Sequence, residues 1–446
     1  MNTNALALRA SALLLTFATI SQAGAASVPN RVLVKLREGA SNRLLADDGT
    51  LIMRSARVLG AATPLYRMRH GLAVVRYSSD LTPKEAAELL ATDPQVEYAQ
   101  PDYIMSLPTA VVEEEVEFAS GLTSLTDFVA SVMADPRPVP APQMPAPTPD
   151  ARIGETWGLD KIQASAAWKL NPGHRKVLVA DIDTGIDYTH EDLVNNLWEG
   201  IGYDFINNDA LPFDDHMHGT HTAGTIGATG FNGKGVAGVS PAVSIMGLKF
   251  ISAEGSGTTS DAVRAIDYAI EKGARVMSNS WGGPAEDASE NKVLEDAVER
   301  ANQADILFVA AAGNDATDND TRPMYPAAIQ KPNVLAVAST SPQDKLSVFS
   351  NFGRTTVHVG APGSGILSTT PGNEYRAISG TSMACPHVAG LAALILAERP
   401  ELTAVQVKQI IMETVDSLPT LQGRVVTGGR INAFAAIKRA KEFVAR

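Results

Sequence analysis

The stretch Lys176–Asp187 reads KVLVADIDTGID, and its reading decides the fold. Val177 to Ile182 is a short, nearly continuous apolar run that ends in an acid and a Thr-Gly turn. Such a run fits a strand buried on both faces, as in a parallel sheet covered by helices. Working outward, the same type of run recurs as SIMGLKFI (244–251), ARVMSNS (274–280), ILFVAAAG (306–313) and VLAVAST (334–340). Helical stretches lie between several of them, SDAVRAIDYAIEKG (260–273) and ASENKVLEDAVERANQA (288–304) among them. Strand and helix in alternation predict a three-layer α/β/α domain with a parallel sheet over residues 151–446.

Three other blocks precede it. Residues 1–26 carry Arg9, a short apolar run from Ala12 to Ile20 and a small-residue Ala23-Gly24-Ala25 site. That is the pattern of a secretory leader, and it predicts a secreted or periplasmic protein. Its apolar run is too short to span a bilayer, and no later segment is expected to do so. Residues 27–105 contain the strands RVLVKL, LAVVRY and VEYAQPDYIM and a helix capped by Thr82, which makes a small α+β unit. Residues 106–150 are acidic and then proline-rich (VVEEEVEF, DPRPVPAPQMPAPTPD), a composition that cannot bury a core and reads as an exposed, cleavable linker.

The 446 residues carry a net charge of −12, which argues against nucleic acid and anionic membrane surfaces as partners. One cysteine, Cys385, permits no internal disulfide.

In open α/β sheets, ligands bind at the carboxyl ends of the strands. Asp183 ends the first run, where an acid before Thr-Gly is also ordinary turn chemistry. His218 follows in DDHMHGTHTAGTIGA, flanked by His216 and His221. H-x-H-x-x-H resembles metal-ligand spacing, but no H-E-x-x-H accompanies it, nor do cysteines or further histidines cluster there. Asn314 ends ILFVAAAGND, where a side-chain amide can donate to an oxyanion. Finally, SGTSMACPHVAGLAALIL (379–396) offers Ser379, Ser382 and Cys385 as nucleophiles. Ser382 stands where a glycine turn becomes a helix, with backbone N–H and helix dipole beside it. Cys385 lies one turn inside an all-round apolar helix, where a cysteine behaves as a small hydrophobe. His387, five residues after Ser382, falls on another helix face and is a poor base for it.

Taken together, DTGID, HGTHTAG, AAGN and GTSMACPHVAG resemble the signature segments of the subtilisin-like serine proteases, in their Asp–His–Ser order, over about residues 155–440. The resemblance implies a self-processing serine endopeptidase acting on proteins or peptides through an acyl-enzyme, as a monomer without an organic cofactor. Ser382 would be its nucleophile, His218 its base, Asp183 the orienting acid and Asn314 the oxyanion donor. It implies substrate-binding edges at Gly255, Ser256 and Gly257 and at Ser280, Trp281 and Gly282. A primary pocket would be walled by Ala311, Ala312 and Gly313, with Met324 where a small residue is common. It further implies calcium at Asp192 and Asn232, with carbonyls from Gly230, Lys234 and Val236. Residues 27–105 are similar to the inhibitory propeptide of that family, chiefly through VEYAQPDY. Asp181, two residues before Asp183 where apolar residues are usual, departs from the pattern.

Overall fold

The computed structural model describes residues 25–38, 40, 58–60, 63–67, 69–108, 149–284 and 291–444. The leader read at 1–26, save Ala25 and Ala26, and linker residues 109–148 lie outside the described residues.

The N-terminal unit runs β1 (Ser27–Leu36), β2 (Thr63–Arg67), β3 (Leu72–Arg76), α1 (Pro83–Ala91) and β4 (Val96–Ser106). Thr82 begins α1 with reciprocal bonds: its Oγ1 accepts from Glu85 N (3.3 Å), and the Glu85 carboxylate accepts from Thr82 N (2.8 Å). Alternation along β1 sends Val32 and Val34 under α1 and Leu33 to the opposite face, towards the larger domain.

The larger domain begins with the short helices α2 (Trp157–Lys161) and α3 (Ala164–Trp168). It continues with β5 (Gly173–Asp183), β6 (Leu197–Asp204), α4 (His218–Gly227), β7 (Ala242–Lys249), β8 (Ser256–Thr258), α5 (Thr259–Glu271) and β9 (Val276–Asn279). Then come β10 (Gly283–Pro284), α6 (Lys292–Gln303), β11 (Leu307–Ala311), β12 (Met324–Tyr325), β13 (Val334–Thr340) and β14 (Val359–Pro362). The hairpin β15 (Ile366–Thr370) and β16 (Glu374–Ile378) leads to α7 (Thr381–Glu398) and α8 (Ala404–Glu413). Two short strands, β17 (Asp416–Ser417) and β18 (Gly429–Arg430), precede α9 (Ala433–Glu442).

Nine strands form one sheet in the order β17-β18-β14-β13-β11-β9-β5-β7-β6. It is parallel except for β17, which runs antiparallel to β18 at the edge. The alternation of β5 feeds two cores. Val177 and Val179 pack with α4, α7, α8 and α9, while Leu178, Ala180 and Ile182 pack with α5 and α6. Helices on both faces explain why these strands read as continuous apolar runs, and they give the expected three-layer α/β/α architecture.

The expectation that no later segment could span a bilayer needs correction. The 18-residue helix α7 is long and apolar enough by length and composition. It is instead the core helix of this domain, buried from Thr381 to Leu396.

The N-terminal unit packs against α5 and α6. The buried Asp102 carboxylate accepts from Ser260 N (2.9 Å) and Oγ (2.8 Å) in the first turn of α5, and pairs with Arg31 (2.7 Å). Gln100 Oε1 accepts from Val293 N (3.0 Å) in the first turn of α6. Ser106, read as the first linker residue, is the last residue of β4.

Candidate active site

The site is assembled from loops at the carboxyl ends of β5, β9 and β11 and from the first turns of α4 and α7. Asp183 is the last residue of β5 and 1% exposed. Its Oδ1 accepts from Thr184 N (2.7 Å) and from His218 Nδ1 (2.7 Å). A carboxylate only accepts, so Nδ1 carries the proton and Nε2 is left as the acceptor of the neutral ring. His218 is the first residue of α4.

What holds His218 there is Asp214, which the sequence reading missed. Its Oδ1 accepts from Thr184 Oγ1 (2.8 Å), His216 N (3.0 Å) and Met217 N (2.8 Å). Its Oδ2 accepts from Thr220 N (2.8 Å) and Oγ1 (2.6 Å). One buried carboxylate thus ties the turn after β5 to the start of α4. The available signal was an acid just before a helix start. The two segments approach so closely that a Cβ on Gly219 would lie 2.1 Å from the Gly185 carbonyl oxygen. Only glycine fits there.

Ser382 is the second residue of α7 and 2% exposed. In this ground state its Oγ donates to the Ser280 carbonyl (3.1 Å), while Ser280 Oγ donates to the Ser382 carbonyl (2.9 Å). Asn314 follows β11. Its Oδ1 accepts from Thr381 N (2.9 Å) and Oγ1 (2.8 Å), which fixes the amide and sets Nδ2 beside Gly380.

The two segments expected to bind extended backbone lie on either side of β4. β8 pairs antiparallel with it, Met105 opposite Gly257 and Ser106 opposite Ser256. On the other side Ser106 N donates to Gly282 O (3.0 Å) and Gly282 N to Ser106 O (2.9 Å). Leu107 N then donates to Gly255 O (3.0 Å). The Trp281 side chain is fully buried, edge-on to Phe250 at 4.8 Å, so it does not face the cleft. Ala311, Ala312 and Gly313 close the end of β11, all buried. Met324 sits against them: its Cε lies 3.2 Å from where a Gly313 Cβ would be, and its Sδ 3.3 Å from that of Gly282.

Two further histidines, His221 and His387, are otherwise engaged. Nε2 of the buried His221 lies 2.9 Å from the Ile366 carbonyl and 3.1 Å from that of Arg376, and burial drives its pKa down to about 3. His387 is buried against the Met383 carbonyl (Nδ1 to O, 2.8 Å), and burial lowers its pKa to about 4. Among the described residues, no three His, Cys, Asp or Glu side chains gather as a metal cluster. The sulfur of Cys385 is fully buried, 3.7 Å from the Asn279 carbonyl, and burial pushes its pKa up to about 12. A thiol so placed is not a nucleophile.

Asp181 stands one pleat below Asp183. It accepts from Thr222 Oγ1 (2.8 Å), and Ser278 lies opposite it on β9. Burial first, and then the Asp183 charge, raise its pKa well above the carboxylate range.

Of the residues expected at a calcium site, Asn232 and Val236 meet Asp192. Asp192 Oδ1 accepts from Asn232 Nδ2 (2.9 Å), and Oδ2 accepts from Val236 N (2.9 Å) and Tyr375 Oη (2.9 Å). Asp150, missed in the sequence because it was read as the end of the linker, accepts from Phe231 N (3.0 Å) and Asn232 N (2.9 Å). Asp150 and Asp192 are both buried, and the groups that donate to them here are neutral backbone N–H, amide and hydroxyl groups. Burial, and further down the Asp192 charge, raise the Asp150 pKa. Two buried acids beside an amide, with no ion pair to either among the described residues, fit a hard divalent ion.

Comparison with known proteins agrees with this geometry. Residues 174–429 match the Subtilase family. The chain is similar to thermitase of Thermoactinomyces vulgaris, 39% identical over 282 residues, which cover 63% of this chain and 95% of thermitase. It resembles the thermophilic serine proteinase of Bacillus sp. (strain AK1) at 39% over 284 residues, covering 64% and 67% of the two chains. Subtilisin Savinase of Lederbergia lenta is 36% identical over 282 residues, 63% of this chain and 98% of that protein. With the matched region holding all of Asp183, His218, Asn314 and Ser382, the chain belongs to the subtilase family and is a serine endopeptidase.

Proposed function

We propose that Ser382 attacks the scissile carbonyl while His218 takes its proton and then delivers it to the leaving amine. Asp183 holds the ring in the required tautomer and stabilises the imidazolium. The observation that carries this reading is the 2.7 Å contact between Asp183 Oδ1 and His218 Nδ1 at the mouth of the sheet. For attack, the Ser382 proton turns from Ser280 O to His218 Nε2. The oxyanion that forms is met by Ser382 N–H, at the positive end of α7, and by Asn314 Nδ2.

Substrate backbone adds as a strand between Gly255–Gly257 and Ser280–Gly282. Backbone pairing is blind to side chains, so specificity is broad and set by the pockets. With Met324 between its walls, the primary pocket is shallow and takes small or medium side chains. The N-terminal unit, whose β4 lies in this groove, acts as an intramolecular inhibitor that the enzyme later removes. The leader pattern supports export.

Calcium, when bound, would cross-link the loop at 230–236 through Asp150, Asp192, Asn232 and the carbonyls of Gly230, Lys234 and Val236. A rise in melting temperature with added calcium, reversed by chelator, is the result expected for that site.

A serine-directed phosphonylating reagent should label Ser382 and abolish peptidase activity, while a transition-metal chelator should not. Labelling elsewhere, with Ser382→Ala fully active, would remove Ser382 from the reaction.

A further inference from the structure

Ser106 and Gly282 exchange both backbone hydrogen bonds, at 3.0 and 2.9 Å. In an antiparallel pairing, such doubly bonded pairs alternate with unbonded ones. Continuing that register puts Leu107 opposite Trp281 and Pro108 opposite Ser280, the next doubly bonded position. The bond from Leu107 N to Gly255 O (3.0 Å) keeps the same course on the other side of the strand. Behind it, Met105 is 2% exposed, its Sδ 3.5 Å from where a Cβ on Gly283 would be, which anchors the segment.

At the Pro108–Ser280 position a residue with an N–H would donate to the Ser280 carbonyl. Proline has none. The structure places the Ser382 hydroxyl on that same carbonyl, at 3.1 Å.

We infer that Pro108 sits where the attacked residue sits, and that self-cleavage breaks the peptide bond on its carbonyl side. The proline slows the step because it leaves Ser280 O to hold the nucleophile's hydroxyl away from His218. This rests on the serine mechanism proposed above. Ser382 Oγ bonds to the Pro108 carbonyl carbon and its proton passes to His218. The C–N bond to Thr109 breaks, and the nitrogen leaves with that proton. Water, deprotonated by His218, then hydrolyses the ester, giving a Pro108 carboxylate and free Ser382.

The test follows purified full-length chain by intact mass over time, as wild type, Pro108→Ala and Ser382→Ala. The expected first product of wild type begins at Thr109 and accumulates slowly. Pro108→Ala should give the same product roughly three- to tenfold faster, the value of one regained backbone hydrogen bond. A matching melting temperature shows that the variant is folded. A first product starting elsewhere, or a folded Pro108→Ala no faster than wild type, overturns the inference. If Ser382→Ala also matures alone, self-processing itself is wrong. If Ser382→Ala stays intact while wild type cuts elsewhere, only the assigned bond fails.

Discussion

Two acids stand two residues apart on the same face of β5, and only one meets a histidine. Asp183 ends the strand and holds His218; Asp181, one pleat deeper, meets Thr222. Successive same-face residues of a strand are about 6.6 Å apart, and residues one helical turn apart also share a face. His218 and Thr222 are such a pair on α4, so the helix offers one partner to each acid. The two levels are equally buried, Asp181 and Asp183 each 1% exposed, and at the lower one Cys385 Sγ lies 3.9 Å from the Oγ of Ser278, the residue opposite Asp181. Burial therefore does not separate the level proposed to react from the one below it. What separates them is the partner, a ring that can move a proton against a hydroxyl that can only satisfy a lone pair.

The sharpest way to break this comparison is to neutralise each acid in turn. Asp183→Asn should lower kcat by about four orders of magnitude, because an amide favours the wrong tautomer of His218. Asp181→Asn should leave kcat/KM at pH 8 within about threefold. Equal losses in the two variants would mean that both levels take part in the chemistry. The same substitution has a pH signature. A carboxyl whose folded pKa is raised contributes its stability below the ordinary carboxylate range and loses it as pH rises. Asp181→Asn should thus stabilise relative to wild type at pH 9, on the order of 1 kcal/mol, and less at pH 4, as melting curves at the two pH values would show.

The next largest effect belongs to the upper level alone. Asn314→Ala should cost about a hundred- to a thousandfold in kcat with the fold intact; this magnitude comes from a subtilisin rather than from this chain. A variant that keeps full turnover would take the amide out of the site.

Smaller, and confined to the pocket beside the upper level, is the effect of Met324→Ala. It should raise kcat/KM for peptides with a large aromatic residue at the cleavage point by at least about tenfold, measured against a small-residue peptide. An unchanged ratio would show that Met324 does not limit the pocket.

The smallest effect is expected at the floor of the lower level. Cys385→Ala should leave activity within about twofold, and thiol reagents should inhibit poorly while the protein is folded. A large loss of the chemical step with an unchanged melting temperature would place the sulfur in the reaction.

Much of this was legible in the chain because each buried strand carries its own signal. The apolar run Val177–Ile182 announced β5 on both faces, and the groups proposed to react sit at the polar ends of such runs. Asp214 and Asp150 were not legible. An acid near a helix start or at the end of a proline-rich stretch is ordinary, and its importance comes from donors distant in sequence, Thr184 for one and Phe231 for the other. Trp281 shows the converse. Its segment was expected to bind substrate backbone and lies beside β4, yet its indole turns into the core against Phe250.

By itself, then, the sequence determined that the runs forming β5, β7, β9, β11 and β13 make a parallel sheet, with helices between several of them, and which residue types stand at the strand ends. Local periodicity and turn chemistry are enough for that. Only the tertiary structure decided that Asp183 rather than Asp181 faces His218, and that Met324 fills the space between Gly282 and Gly313. It also decided that residues 104–107 lie in the groove in one register. These are matters of register between distant segments, where a shift of one residue turns every side chain to the other face. No pattern within a single segment carries that information.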